Sequence, residues 1–164
     1  MARIFIFGDA INTDVLAPGQ YMAATLDELA RHCLESVDAG FAAKVRPGDI
    51  ILAGRNFGMG SSREQAAQAL LHLGIAGIVA HSFGGIFYRN AINLGLPVFA
   101  HEAAIEAEDG DAARLDVEAA TLTLERTGTV NRLEPLPGFL LDLIRDGGLV
   151  PHLEKRFAAK ERTP

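Results

Sequence analysis

The richest chemistry in this chain lies in one run, Gly54-Arg55-Asn56-Phe57-Gly58-Met59-Gly60-Ser61-Ser62-Arg63-Glu64-Gln65. Gly54, Gly58 and Gly60 permit tight turns and let the backbone approach a ligand closely. Ser61 and Ser62 stand where the run enters a helical pattern, beside free N–H groups and the positive end of a helix dipole. Arg63 adds a guanidinium fork that matches a carboxylate or a phosphate. The combination suits the capture of an anion, with a hydroxyl at hand to act on it. A plainer alternative makes Ser62 a helix N-cap and the glycines a turn. A cap uses one hydroxyl, however, and this run packs two serines and an arginine against three glycines.

The residue types narrow the anion. A P-loop ends its glycine run in Gly-Lys-Ser/Thr, and no lysine stands here. A dinucleotide fingerprint needs a third glycine where Arg63 stands. A carboxylate is the better match. The five histidines, His32, His72, His81, His101 and His152, show no metal-ligand spacing and are expected on the surface or in the core. Cys33 is the one cysteine, so no internal disulfide can form and this chain cannot hold an iron–sulfur cluster alone. Cys33 also falls on an apolar helical stripe, which suits a small core residue. The formal net charge of −6 argues against nucleic acid as a partner. The apolar start, Met1 to Phe7, ends at Gly8-Asp9, too short for a signal-peptide core or a membrane span. A cytoplasmic protein is expected.

The elements that must position this loop follow from periodicity. Arg3 to Phe7, Ile50 to Ala53, Ile75 to Ala80 and Leu96 to Ala100 read as buried strands. A polar loop occupies residues 8–20. Thr25-Leu26-Asp27-Glu28 has capping-box spacing, followed by a helical stripe of Leu26, Leu29, Ala30, Cys33, Leu34 and Val37. Arg63 to Leu73 and Ile86 to Leu94 read as helices stopped by Gly74 and Gly95. Strand and helix thus alternate, the signature of a parallel sheet with crossover helices. Residues 114–133 alternate apolar and polar, like antiparallel strands near an edge. Gly138 to Arg145 reads as a closing helix ended at Gly147-Gly148. The fold class is α/β: a largely parallel central sheet with flanking helices and a small antiparallel region. A single domain is expected over 1–164, with a frayed tail from about residue 158.

Three segments carry a resemblance to a known family. Gly60-Ser61-Ser62-Arg63-Glu64, within residues 54–66, resembles the active-site loop of the aconitase swivel domain. Asn12-Thr13-Asp14 with Pro18-Gly19-Gln20-Tyr21 resembles the first loop of the isopropylmalate and homoaconitate dehydratase small subunits. Ile86 to Pro97 resembles a third segment of that family. They lie in family order, and the likeness spans nearly the whole chain. It implies an aconitase swivel-type domain, the small subunit of a heteromeric 3-isopropylmalate dehydratase-like hydro-lyase, active only with a large subunit. That partner is expected to carry a 4Fe-4S cluster, a Lewis acid for the hydroxyl that leaves as water. This chain itself is expected to hold no cofactor and no metal.

By the same resemblance, Ser62 is the catalytic base, Arg63 binds a substrate carboxylate, and Ser61 donates to that carboxylate or orients Ser62. Gly58 and Gly60 support the loop. Asp14 supports it too, or merely caps an Asx turn. Arg89 and Asn90 either brace the serine loop or are ordinary helix-surface residues. Ala23 and Ala24 sit where substrate choice is set: homoaconitase-like members carry an Arg at the position of Ala23. An uncharged Ala23 leaves a third carboxylate unpaired, which favours 2-isopropylmalate and leucine biosynthesis. Related acids (dimethylmalate, citramalate, a maleate-type acid, homoaconitate) remain alternatives, as does a non-catalytic carboxylate-binding module. Met59, Gln65 and Gly84-Gly85 depart from common family residues. An exposed partner-facing surface is expected, which allows a homo-oligomer of the isolated chain.

Overall fold

The structure, a computed structural model, describes residues 1–162. Four short strands, β1 (Ile4–Ile6), β2 (Ile50–Ala53), β3 (Gly77–Ala80) and β4 (Val98–Ala100), form a parallel sheet in the order β1-β2-β3-β4. The register pairs Ile4 with Ile50, Ile50 with Gly77, and Ala80 with Ala100. The residues of β3 are buried throughout, as a continuous apolar run in a parallel sheet should be. The crossover helices are α4 (Glu64–His72) and α5 (Gly85–Asn93). Each connection steps to the next strand, so right-handed crossovers put both on one side of the sheet. Shorter helices α1 (Thr13–Leu16), α2 (Leu26–Arg31) and α3 (Phe41–Lys44) fill the β1–β2 connection. Strands β5 (Ala113–Asp116), β6 (Thr121–Leu124) and β7 (Thr129–Arg132) form the separate antiparallel sheet, followed by α6 (Gly138–Arg145).

The free edge of β1 is closed by the chain ahead of β5. Ile4 N donates to Asp111 O at 2.9 Å, Gly110 N to Ile4 O at 2.7 Å, and Ile6 N to Asp109 Oδ1 at 2.8 Å. An unpaired edge would invite aggregation. The two sheets touch at Gly77, where an added Cβ would stand 2.3 Å from Leu115 Cδ2. At the amino end of the sheet, the buried carboxylate of Asp49 accepts from Arg3 N at 2.8 Å, Arg46 N at 2.8 Å and the Arg3 guanidinium at 3.1 Å. It fixes where β1 and β2 start.

Two expectations need correction. Helix α2 is capped by Thr25, whose side chain accepts from Glu28 N, but it ends at Arg31 instead of running to Val37. Leu34 takes a left-handed φ of 62°, and its N–H reaches Val15 O at 3.0 Å, tying this turn to the first loop. Leu29, Ala30, Cys33 and Leu34 are buried, whereas Val37 is exposed. A thirteen-residue helix, α7 (Leu149–Glu161), follows Gly147-Gly148 and occupies part of the segment read as a loose tail. Its Pro151 sits in the first turn, where a missing N–H leaves no intrahelical bond unmade. Residues 163–164 of that tail lie outside the described residues.

Replacing Asp49 by alanine should lower stability by about 3 kcal/mol, since it strands two backbone donors and a guanidinium. Urea unfolding monitored by circular dichroism measures this. An unchanged midpoint would remove Asp49 from its clamping role.

Candidate functional site

The chain leaving β1, β2 and β3 is stitched together at the carboxyl ends of the strands. Gly54 N donates to Gly8 O at 3.2 Å, Ala10 N to Arg55 O at 2.8 Å, Gly58 N to Ile11 O at 2.7 Å, and Thr13 N to Met59 O at 2.8 Å. On the other flank, Asn56 N donates to Ser82 Oγ at 2.9 Å, Phe57 N to Ser82 O at 3.0 Å, and Gly84 N to Phe57 O at 2.8 Å. Phe57 is fully buried and packs edge-on against Phe83 and Phe87. It anchors the middle of the loop in the core while the polar residues on either side stay outside.

Two glycines are required by that packing. Gly58 has φ +77°, and a Cβ there would lie 2.1 Å from Phe87 Cγ. Gly60 has φ +119°, and a Cβ there would lie 2.8 Å from Thr13 Oγ1. Gly84 allows another close approach, since its Cβ would be 2.9 Å from Gly58 O. Gly85, by contrast, opens α5 with free space around it.

The loop delivers Ser61, Ser62 and Arg63 together at the start of α4. Arg63 itself is the N-cap, with extended backbone and no side-chain capping bond. Ser62 is therefore not a helix cap, and the plainer reading of its hydroxyl fails on geometry. The Ser62 side chain is exposed, and among the described residues its hydroxyl has no hydrogen-bond partner. Ser61 is also exposed, with its Oγ 3.3 Å from Thr13 Oγ1. The Arg63 Nη1 donates to Asp14 and, at 3.1 Å, to Ala17 O. Its Nη2 and Nε make no hydrogen bond among the described residues, so one edge of the fork stays available. Asp14 thus orients Arg63, in addition to lying in the first turn of α1, which Asn12 caps by accepting from Val15 N.

Ala23 and Ala24 are exposed and follow a single 3-10 turn, Gly19–Tyr21. A Cβ on Gly19 would lie 3.7 Å from Arg63 Nη2, so Gly19 borders the unused edge of the fork. Tyr21 stacks on His32 with ring centroids 3.6 Å apart. His32 is held in turn by Glu35 at 2.6 Å and Glu28 at 3.2 Å, and these carboxylates raise its pKa above the ordinary imidazole value.

Arg89 and Asn90 lie on α5. Arg89 is exposed and lines a shallow hollow with Tyr88 and Leu140, and neither residue bonds to residues 54–63 among the described residues. Cys33 is fully buried, and burial pushes its thiol pKa up. Among the described residues no three His, Cys, Asp or Glu side chains stand close enough to hold a metal ion, and no helix is long and apolar enough to cross a membrane. Sequence reasoning missed Thr13 and Ser82 as loop supports. It also missed Asp9, whose Oδ1 accepts from Arg55 N at 2.7 Å over the bare face of Gly54. Only their polarity in loops hinted at these roles.

The serine–serine–arginine corner is open to solvent, and a hollow of about 220 Å³ lies apart from it, over the sheet beside Leu52, Val79, His81 and His101. The fold and the site define an α/β domain that presents a glycine-rich serine–serine–arginine loop on its surface. The chain belongs to the aconitase C-terminal domain family, whose model matches residues 10–102. It is 48% identical over 154 residues to the methanogen homoaconitase small subunit of Methanothermobacter thermautotrophicus, covering 93% of this chain and 89% of that one. It is also 48% identical over 155 residues to 3-isopropylmalate dehydratase small subunit 1 of Thermotoga maritima, covering 93% of each. The crystal structure of 3-isopropylmalate dehydratase (leuD) from Methanocaldococcus jannaschii superposes with a TM-score of 0.90 at 40% identity, covering 98% of this chain and 96% of that one.

Gly58→Ala should cost about 2–4 kcal/mol, because it adds a clash with Phe87 to a left-handed backbone. Thermal melts of the purified chain read the loss. Full retention of stability would mean that the loop can move off Phe87.

Proposed function

We propose that this chain is the small subunit of a two-chain hydro-lyase that interconverts 2-isopropylmalate and 3-isopropylmalate by dehydration and rehydration, a step of leucine biosynthesis. The observation that carries the reading is the exposed, unpartnered Ser62 hydroxyl next to a guanidinium with donors to spare. The reaction removes a proton from a carbon beside a carboxylate, and the hydroxyl on the neighbouring carbon, protonated by an acid of the large subunit, leaves as water. Ser62 Oγ takes that proton and returns it in the reverse direction. Arg63 binds the adjacent carboxylate through Nη2 and Nε, and Ser61 donates to the same group. A serine alkoxide is unfavourable in water, so the step needs a nearby cation and exclusion of solvent. Arg63 supplies the first, and closure of the large subunit over this open corner supplies the second.

The 4Fe-4S cluster is assigned to the large subunit, because the one thiol here, Cys33, is sealed in the core and offers no ligand. When bound there it supplies a Lewis acid for the departing hydroxyl. The cytoplasm suits such a soluble two-chain enzyme.

Substrate choice rests on the exposed, uncharged Ala23 and Ala24, a few residues beyond Gly19, which borders the free edge of Arg63. An apolar arm is accepted there, and a third carboxylate would be left unpaired. The equally similar homoaconitase relative makes a tricarboxylic acid the second reading. Ala23→Arg should shift the ratio of kcat/KM values toward the tricarboxylic acid by about tenfold or more. A ratio that does not move would place the specificity determinant elsewhere.

The chain alone should be inactive. Mixed anaerobically with a cluster-bearing large subunit it should hydrate and dehydrate isopropylmalate, and Ser62→Ala should lower kcat by about 10²–10⁴-fold. An undiminished rate would take the proton-transfer role away from Ser62.

A further inference from the structure

We propose that Thr13 is a positioning residue of this site: its buried hydroxyl donates to Ser61 and so turns the Ser61 hydroxyl hydrogen outward, toward the carboxylate of the bound acid. The inference rests on the reading of the corner given above.

Thr13 and Asp49 are the two buried polar or charged residues among the described residues. Asp49 has three hydrogen bonds at the base of the sheet. Thr13, 2% exposed, has one side-chain partner, Ser61 Oγ at 3.3 Å. Buried hydroxyls are kept where they have a partner, and the partner here is a residue of the anion loop. Thr13 meets that loop at three consecutive positions. Its N–H donates to Met59 O at 2.8 Å, its Oγ1 rests against the bare face of Gly60, and the same oxygen reaches Ser61. Its own carbonyl accepts from Ala17 N at 2.8 Å, which locks the residue into α1. A β-branched side chain fixed in that way has little rotamer freedom.

The direction of the Thr13–Ser61 bond decides what Ser61 can do. A hydroxyl carries one hydrogen. If Ser61 spent its hydrogen on Thr13, it would present lone pairs to an incoming carboxylate and repel it. When Thr13 donates instead, the Ser61 hydrogen is free to point into solvent and meet the acid. An anion in the corner therefore favours the second arrangement. At 3.3 Å the bond is long for two hydroxyls, as catalytic contacts often are before substrate closes the site.

The test uses the complete two-chain enzyme with isopropylmalate. Thr13→Val keeps the shape and removes the hydroxyl. It should raise KM about five- to tenfold, the effect of one lost hydrogen bond, with kcat within about twofold. Thr13→Ser should restore KM. Ser61→Ala should raise KM as much, and adding Thr13→Val to it should cost nothing further, because the two side chains act as one unit. An unchanged KM in Thr13→Val, a failure of serine to rescue, or additive losses in the double variant would each overturn the proposal. Should valine not fold at this position, Thr13→Ala enters the same cycle. Ser62→Ala measured alongside separates the two levels: a fully active Ser62→Ala enzyme defeats the reading of the corner, whereas an inactive one with a normal Thr13→Val defeats only the inference about Thr13.

Discussion

The backbone seam between residues 8–13 and 54–59 is the constraint from which the rest of the site follows. Its four hydrogen bonds, from Gly54 N–Gly8 O to Thr13 N–Met59 O, join two loops that leave neighbouring parallel strands. A loop with three glycines has many conformations open to it. The seam on one flank, Ser82 on the other and Phe57 beneath reduce them to one. Ser61, Ser62 and Arg63 then emerge in fixed order at the head of α4 without a side-chain cap. The site is therefore placed by backbone bonds and one buried ring, and the Ser62 hydroxyl and one edge of the Arg63 fork are left without hydrogen bonds among the described residues.

The same arrangement leaves the corner open. Its serine corner is solvent-exposed and has no walls of its own, while Arg63 is steadied by Asp14 and Ala17 O. An ion pair so exposed contributes little to stability. Its value is orientation: it fixes the fork with Nη2 beside Gly19 and leaves Nη2 and Nε without hydrogen bonds among the described residues. Chemistry that needs a dry environment has to wait for a second surface to close over the corner.

Much of this was legible in the sequence, for particular reasons. The strand Ile50–Ala53 and the helix Gly138–Arg145 have unambiguous apolar patterns and sharp glycine or proline boundaries, and their ends fall where the pattern puts them. The loop 54–63 was legible because its residue types are so unusual together. Helix α2 was overextended because Leu34 keeps the helical spacing of apolar residues while its backbone turns left-handed to reach Val15. Helix α7 was missed because its exposed surface carries no strong stripe to signal it. Thr13 was overlooked because burial of a small polar residue has no local signature.

The account turns on where an organic acid sits. The most direct measurement is a crystal structure of the two-chain enzyme with a non-reacting hydroxy-dicarboxylic acid. The account predicts the acid's proton-bearing carbon about 3 Å from Ser62 Oγ, with one carboxylate on the Arg63 fork. An acid seated away from this corner, with Ser62 and Arg63 still facing solvent or the large subunit's backbone, would contradict it.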